Sequence, residues 1–238
     1  MYLLKIELLK IKKFSLIPLA ILLPIPAIVI AVKILTVLNN KVGGVISVEE
    51  IIGISSTMYF GMFLPILIMY VVCSITKIEN NNNGWKQLLT MPIKKWKIYF
   101  SKNLISMLIV AVSLISYYIY CLITSYLLTG KIYVEVSTLI KLMEVFLTIL
   151  PIIILLFAVA RIFNSIVVPL GVGIFFILST IFIAQSEYWL FAPWAYPVVF
   201  SGGDISSKEN ILILLVSVVL CGILFLSDLY KFTTRDVI

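Results

Sequence analysis

The residues best equipped for chemistry in this chain are few and poorly grouped for it. Gly202-Gly203-Asp204 echoes one half of an intramembrane aspartyl protease, a chemistry that needs two facing aspartates sharing a proton. The other aspartates, Asp228 and Asp236, fall beyond the opposite end of the last apolar run. Histidine does not occur, which removes the commonest general base and metal ligand. Neither CxxC nor HExxH is present, and Cys73, Cys121 and Cys221 sit inside apolar segments, where a thiol behaves as a small hydrophobe. Nucleotide binding lacks its parts too. There is no GxxxxGK(S/T) loop, and Gly171-Val172-Gly173 fails GxGxxG inside an apolar run. The chain is therefore expected to bind no metal and no cofactor, and its function is expected to lie in contact and movement.

The segment suited to contact is KIENNNNGWKQLLTMPIKKWKIYFSK, residues 77–102. Asn80 to Asn83 and Gly84 break the preceding apolar run. Trp85, Leu88 and Leu89 then recur at i, i+3 and i+4 beside Lys86 and Gln87, the spacing of a short amphipathic helix. Pro92 stops that helix and suits the first turn of the next. Trp96, Tyr99 and Phe100 with Lys94, Lys95 and Lys97 mark an interfacial re-entry into a bilayer. On residue types alone, two readings stand side by side: a connector hugging the membrane surface, or a helix docking into a partner's groove. Glu79 is expected to orient the loop by pairing with a neighbouring lysine, an exposed pair worth about 0 to 1 kcal/mol.

The elements that position this segment are apolar helices. Of 238 residues, 62% are hydrophobic and 12% charged, against about 25% charged in a soluble domain. With a mean hydropathy of +1.18, the apolar surface must meet lipid, which excludes a soluble globular fold. Residues 77–102 are fewer than the roughly 40 below which a domain seldom folds unaided, so no soluble catalytic domain fits. The hydropathy pattern predicts an all-α membrane protein with six spans at about 14–32, 51–76, 103–128, 143–160, 166–184 and 211–227. The first run follows Lys5, Lys10, Lys12 and Lys13 like a signal peptide, but it is too long and lacks a cleavage site. It is read as a retained span, and the whole chain as one transmembrane domain.

The net charge of +7 indicates orientation rather than nucleic acid, since the cations lie between apolar runs and form no basic face. With the N-terminus in the cytoplasm, 13 of the 18 Lys and Arg lie inside, and Lys33, Lys41, Lys131, Lys141 and Lys208 lie outside. The bias places both termini inside. Lys33 is expected to snorkel outward. Every acidic residue, including Glu144, Glu187 and Asp228, is expected at a span end or beyond one, which argues against ion or proton coupling. Pro18, Pro24, Pro26, Pro65, Pro151 and Pro169 interrupt the spans either as simple bends or as broken helices lining a pathway. Residues 185–210 carry Tyr188, Trp189, Phe191, Trp194, Tyr196 and Phe200, either an aromatic belt or a re-entrant cap. No internal repeat is apparent.

Taken in order on six spans, these motifs resemble the permease subunits of ABC-2 type transporters. The family's loop after the second span carries a glutamate, a glycine, a leucine-rich short helix, a proline, and a basic residue leading to a lysine. Glu79, Gly84, Leu88, Leu89, Pro92, Lys94 or Lys95, and Lys102 match it. Glu7 to Lys13 resembles the family's interfacial start, and Pro193 to Pro197 its last outer loop. The turn ARIFNS, with Gly171 and Gly173 after it, also fits. Length and loop pattern are most similar to the small permeases of lantibiotic immunity transporters, with bacitracin-type resistance permeases close by.

The resemblance implies a multi-pass permease of a bacterial cytoplasmic membrane. It implies a dimer of cytoplasmic ABC ATPase subunits holding ATP and Mg, a second permease subunit, identical or homologous, and an amphiphilic peptide substrate. The segment 77–102, with Trp85 beside the matched residues, would be the coupling element. The alternatives are an ABC-2 exporter of another substrate (a bacitracin-like drug, a lipid or a secreted bacteriocin), a partner-free channel, or a membrane assembly factor. A membrane-embedded enzyme is disfavoured by the missing catalytic groups.

Overall fold

The computed structural model describes residues 2–11, 16–42, 48–80, 84–90, 92–130, 136–163, 167–201 and 207–234. Among the residues singled out by sequence, Lys12, Lys13, Phe14, Asn81, Asn82, Asn83, Lys131, Ile166, Gly202, Gly203, Asp204, Arg235 and Asp236 lie outside that set, as do the side chains of Lys5, Lys41, Lys86 and Leu89.

Helices account for nearly all of the described residues, and no strand occurs among them. In chain order they are α1 (Tyr2–Ile11), α2 (Leu16–Leu22), α3 (Pro24–Val42), α4 (Val48–Met58), α5 (Leu64–Asn80), α6 (Gly84–Thr90), α7 (Lys95–Thr129), α8 (Val136–Ile162), α9 (Val167–Ile183), α10 (Tyr196–Ser201) and α11 (Ser207–Thr234). A π-helical turn, Tyr59–Phe63, joins α4 to α5.

Among the described residues, five helical stretches are long and apolar enough to cross a membrane: Leu16–Leu38, Val48–Asn80, Lys95–Leu128, Leu139–Ile162 and Lys208–Thr234. The sixth apolar helix, α9, has 17 residues, about 26 Å of rise against a hydrocarbon core of about 30 Å. Several expected boundaries were too tight. The 33-residue second stretch and the 34-residue third far exceed the about 20 residues a crossing needs. The third helix begins at Lys95 rather than 103, because the stop at Pro92 is a local signal that a hydropathy window averages away. The last runs to Thr234, so Asp228 lies within it and not after it. These overlong ends gather the terminal turns of α5, α7, α8 and α11 with α1 and α6 at one end of the bundle, here called the charged end.

The prolines divide by position. Pro18 and Pro169 lie in the first turns of α2 and α9, where a missing N–H costs no helical bond, whereas Pro24 and Pro26 sit within the continuous helical stretch Leu16–Leu38 and Pro65 within Val48–Asn80, directly after the π-helical turn Tyr59–Phe63. The Leu23 N–H donates to Leu19 O at 2.9 Å and carries α2 into α3. Pro151 sits in the interior of α8. α7 ends in the usual way, with Gly130 left-handed at φ 68° and its N–H on Tyr126 O.

Packing centres on α5 and α8, whose Leu67, Ile68, Val71, Ile149, Ile153 and Phe157 are buried. Lipid offers no hydrophobic drive for helix association, so close packing and hydrogen bonds hold the bundle. Tyr59 Oη and Ser113 Oγ lie 2.6 Å apart, Tyr117 Oη and Ser55 Oγ 2.9 Å, and the two tyrosine rings stack at 4.7 Å. The aromatic segment splits between its two expected roles. Tyr188 and Phe191 face outward, whereas Tyr196, Pro197 and Phe200 are buried as α10 folds back on α4 and α8. Trp194 stacks on Phe176 at 4.8 Å and its Nε1 donates to Ser179 Oγ at 2.9 Å.

Candidate functional site

At the charged end, α5 finishes with Glu79 and Asn80, and α6 starts again at Gly84. Gly84 is required by proximity: a Cβ there would sit 2.8 Å from Glu79 O. This close approach turns α6 back across the ends of its neighbours, and Trp85 Nε1 donates to Asn80 Oδ1 at 2.6 Å.

Beneath α6 lies a ring of four charges. Lys102 Nζ, from the first turns of α7, donates to Glu79 Oε1 at 2.8 Å and to Glu7 Oε2 at 3.0 Å. Lys10 Nζ donates to the same Glu79 oxygen at 2.9 Å and to Glu7 Oε1 at 3.4 Å. The charges alternate around a closed loop, so the cluster is neutral as a whole. Glu79, Glu7 and Lys102 are buried, Lys102 to 1% exposure. Burial disfavours the charged form of Lys10, and the carboxylates of Glu79 and Glu7 more than offset it, so its pKa stands above the ordinary lysine value. Stripping water from each ion costs several kcal/mol, and only near-complete mutual satisfaction of this kind repays it. The ring therefore has one good arrangement, and it ties α1, α5 and α7 together. Lys102 Nζ also lies 5.5 Å from the Trp85 ring centroid, which anchors α6 on the ring.

A second charged node joins α8 to α11 through Arg161 Nη2 and Asp228 Oδ1, both side chains buried. Arg161 also faces the Phe232 ring at 5.4 Å. Phe232 meets Trp85 edge to face at 5.8 Å and Tyr99 at 5.5 Å. Among the described residues, no group of three or more His, Cys, Asp or Glu is placed to hold a metal ion.

Residues 3–180, which hold α2 to α8, most of α1 and α9, and all four members of the charge ring, match the family model of the ABC-2 family transporter protein. The chain belongs to the ABC-2 transporter family. No curated protein and no solved structure gives a match. Members of this family are typically non-catalytic membrane subunits, with the ATPase on a separate subunit.

In this ABC-2 protein, the residues singled out by sequence divide into an inner and an outer set. Glu79 and Lys102 form the ring, Gly84 fits against Glu79, and Trp85 and Leu88 turn inward, Leu88 being 9% exposed. Pro92 and Lys94 are exposed, Lys95 is half-buried with its Nζ on Thr233 O at 3.1 Å, and Leu89 lies on α6. The exposed face of α6 carries Gln87 and Thr90.

Two expectations need correction. The Glu79 pair is not an exposed contact with a neighbour in sequence. It is a buried ring whose partners lie 23 and 69 residues away. Asp228, expected just past a last span ending at 227, lies within α11, which continues to Thr234, and is paired with Arg161. The Glu7–Lys102 contact, Phe232 and the Arg161–Asp228 pair were not read from sequence. A signal for the last existed: single opposite charges at the ends of two apolar runs, where an unpaired ion is costly.

Proposed function

We propose that this chain is the permease subunit of an ATP-driven exporter that expels an amphiphilic, lantibiotic-type antimicrobial peptide from a bacterial cytoplasmic membrane, giving immunity or resistance. The observation that carries the reading is the position of α6. One face is locked to the ring joining α1, α5 and α7, and the other presents Gln87 and Thr90 beside exposed Pro92 and Lys94. A protein that grips the exposed face moves three helices at once.

In this reading α9 is the sixth crossing and both termini lie in the cytoplasm, an orientation supported by the bias that puts 13 of 18 cations on that side. ATP and Mg bind a partner ATPase dimer, whose closure on ATP carries α6 and tilts the spans attached to it. A second permease subunit, identical or homologous, supplies the second coupling element. The apolar part of such a substrate is supported by the groove between α7 and α8, about 520 Å³ and lined by Met107, Leu114, Tyr118, Leu142 and Phe146 among other apolar side chains.

The test is co-expression of the tagged chain with its neighbouring genes, followed by ATPase co-purification, vanadate-sensitive peptide expulsion, and a resistance panel of lantibiotics, bacitracin and unrelated drugs. Protection against lantibiotics that requires the ATPase is the expected result. An ATP-hydrolysing complex that protects against none of the peptides reassigns the substrate, and the absence of any co-purifying ATPase overturns the transporter reading.

A further inference from the structure

We propose that Trp85 and Phe232 make the C-terminal turn of α11 a second arm of the coupling site, relaying movement of α6 to α8 and α11 through the Arg161–Asp228 pair. This rests on the reading of α6 as the coupling element. It assigns positioning roles to Arg161, Asp228 and Phe232, of which Asp228 and Phe232 lie outside the residues 3–180 matched to the family.

The contacts form an unbroken chain. The charge ring reaches Trp85 through Lys102 at 5.5 Å. Trp85 meets the edge of Phe232 at 5.8 Å, Phe232 faces Arg161 at 5.4 Å, and Arg161 holds Asp228. Phe232 and Asp228 stand four residues apart on α11 and thus on one face, so a displacement of one displaces the other. Tyr99 braces the chain from α7, with its ring 5.5 Å from Phe232, 5.8 Å from Phe157 and 5.3 Å from Phe225. Lys95 clips α7 to the same turn through Thr233 O.

The second node is also less saturated than the first. Among the described residues, Arg161 Nε is buried without a hydrogen-bond partner, and beyond Arg161 the Asp228 carboxylate has only the Tyr99 hydroxyl beside it, whereas every Lys and Glu of the ring is engaged at least twice. A half-satisfied buried pair has other arrangements available to it, and a fully satisfied one resists them. The ring therefore acts as the rigid side of the joint, and the Arg161–Asp228 pair as the side that yields.

The experiment perturbs one node and reads the other, by amide hydrogen exchange on the purified full-length chain in lipid nanodiscs. Asp228→Asn touches neither α6 nor the ring, yet it is expected to speed exchange in residues 84–90 about tenfold. In the Phe232→Leu background, which keeps apolar volume but removes the ring, Asp228→Asn is expected to add nothing further in 84–90. Charge exchange, Arg161→Asp with Asp228→Arg, is expected to restore protection. Residues 193–201, at the far end of the bundle, serve as the control and stay unchanged, which separates relay from general loosening.

Unchanged exchange in 84–90 with faster exchange in 225–234 overturns the relay, and so does acceleration that includes 193–201. The same preparations are assayed for a co-purifying ATPase. Exchange coupling without any ATPase leaves the relay standing and removes the transporter reading, and an ATPase without exchange coupling does the reverse.

Discussion

Lys102 Nζ lies 2.8 Å from Glu79 Oε1, although 23 residues separate the two and both side chains are buried. The same lysine reaches Glu7, so one ammonium pins the N-terminal helix to the end of the second span. Glu79→Gln removes one negative charge from a neutral ring and leaves two lysines sharing Glu7. Breaking a buried pair from one side costs about 3 to 5 kcal/mol, and a large fall in thermal stability in detergent is expected. Lys102→Met is expected to cost more than Lys10→Met, because the Lys10 side chain keeps 31% of its exposure while the Lys102 side chain keeps none. Equal effects of the two lysine substitutions would count against a buried ring.

The pKa of Lys10 is raised in the folded chain, so the stability it contributes is fully present below its unfolded value of about 10.4 and is lost as pH rises through the higher folded value. No loss from this group is expected between pH 7 and 9. Above that range the attachment of α1 weakens, and Lys10→Met removes the alkaline dependence. Exchange rates in residues 2–11 against pH measure it.

Gly84→Ala places a methyl group against Glu79 O, where backbone cannot give way cheaply. Overpacking of this kind costs about 1 to 3 kcal/mol, and residues 84–90 are expected to lose protection while the bundle stays folded. Gly171→Ala meets open space and is expected to be silent.

Leu88 is buried against its own bundle, so Leu88→Asp is expected to destabilise the chain in the absence of any partner. The clean probes of docking are Gln87 and Thr90. Gln87→Asp and Thr90→Asp are expected to leave the melting temperature within about 2 °C, as surface substitutions do, while co-purification of the ATPase falls at least about fivefold, equivalent to roughly 1 kcal/mol. Retained binding in both variants would move the docking surface elsewhere.

Tyr59→Phe leaves Ser113 Oγ without its partner inside the bundle. Hydrogen bonds between membrane helices average about 0.6 kcal/mol and reach about 1.7, so the loss is expected to be well below that of Glu79→Gln. An equal or larger loss would mean that the tyrosine pair, and not the charge ring, dominates the polar energetics of the bundle.

Much of the architecture could be read from the chain alone because its causes are local. A run of about 20 apolar residues must become a helix in lipid, since no other short segment satisfies its own backbone there. Asn80 at the end of α5, Gly84 at the start of α6 and Pro92 after it are local punctuation that needs no tertiary context. The helix Val167–Ile183 was expected at 166–184, and the short helix Gly84–Thr90 was expected from Trp85 onward.

The partners of the charges were decided only in three dimensions. Whether Glu79 meets a loop lysine or Lys10 and Lys102 depends on which helix ends the bundle brings together, and a buried ion must find its counter-charges there whatever their distance in sequence. The same holds for Arg161 with Asp228, and for Trp85 with Phe232, 147 positions apart by number and in ring contact in the fold. Hydropathy and capping act over one or two turns, so sequence alone determined where the apolar helices and the short helix form, though not all of their ends. Electrostatics in a dry interior acts between whichever groups packing makes neighbours, so the joint at the charged end belongs to the tertiary structure.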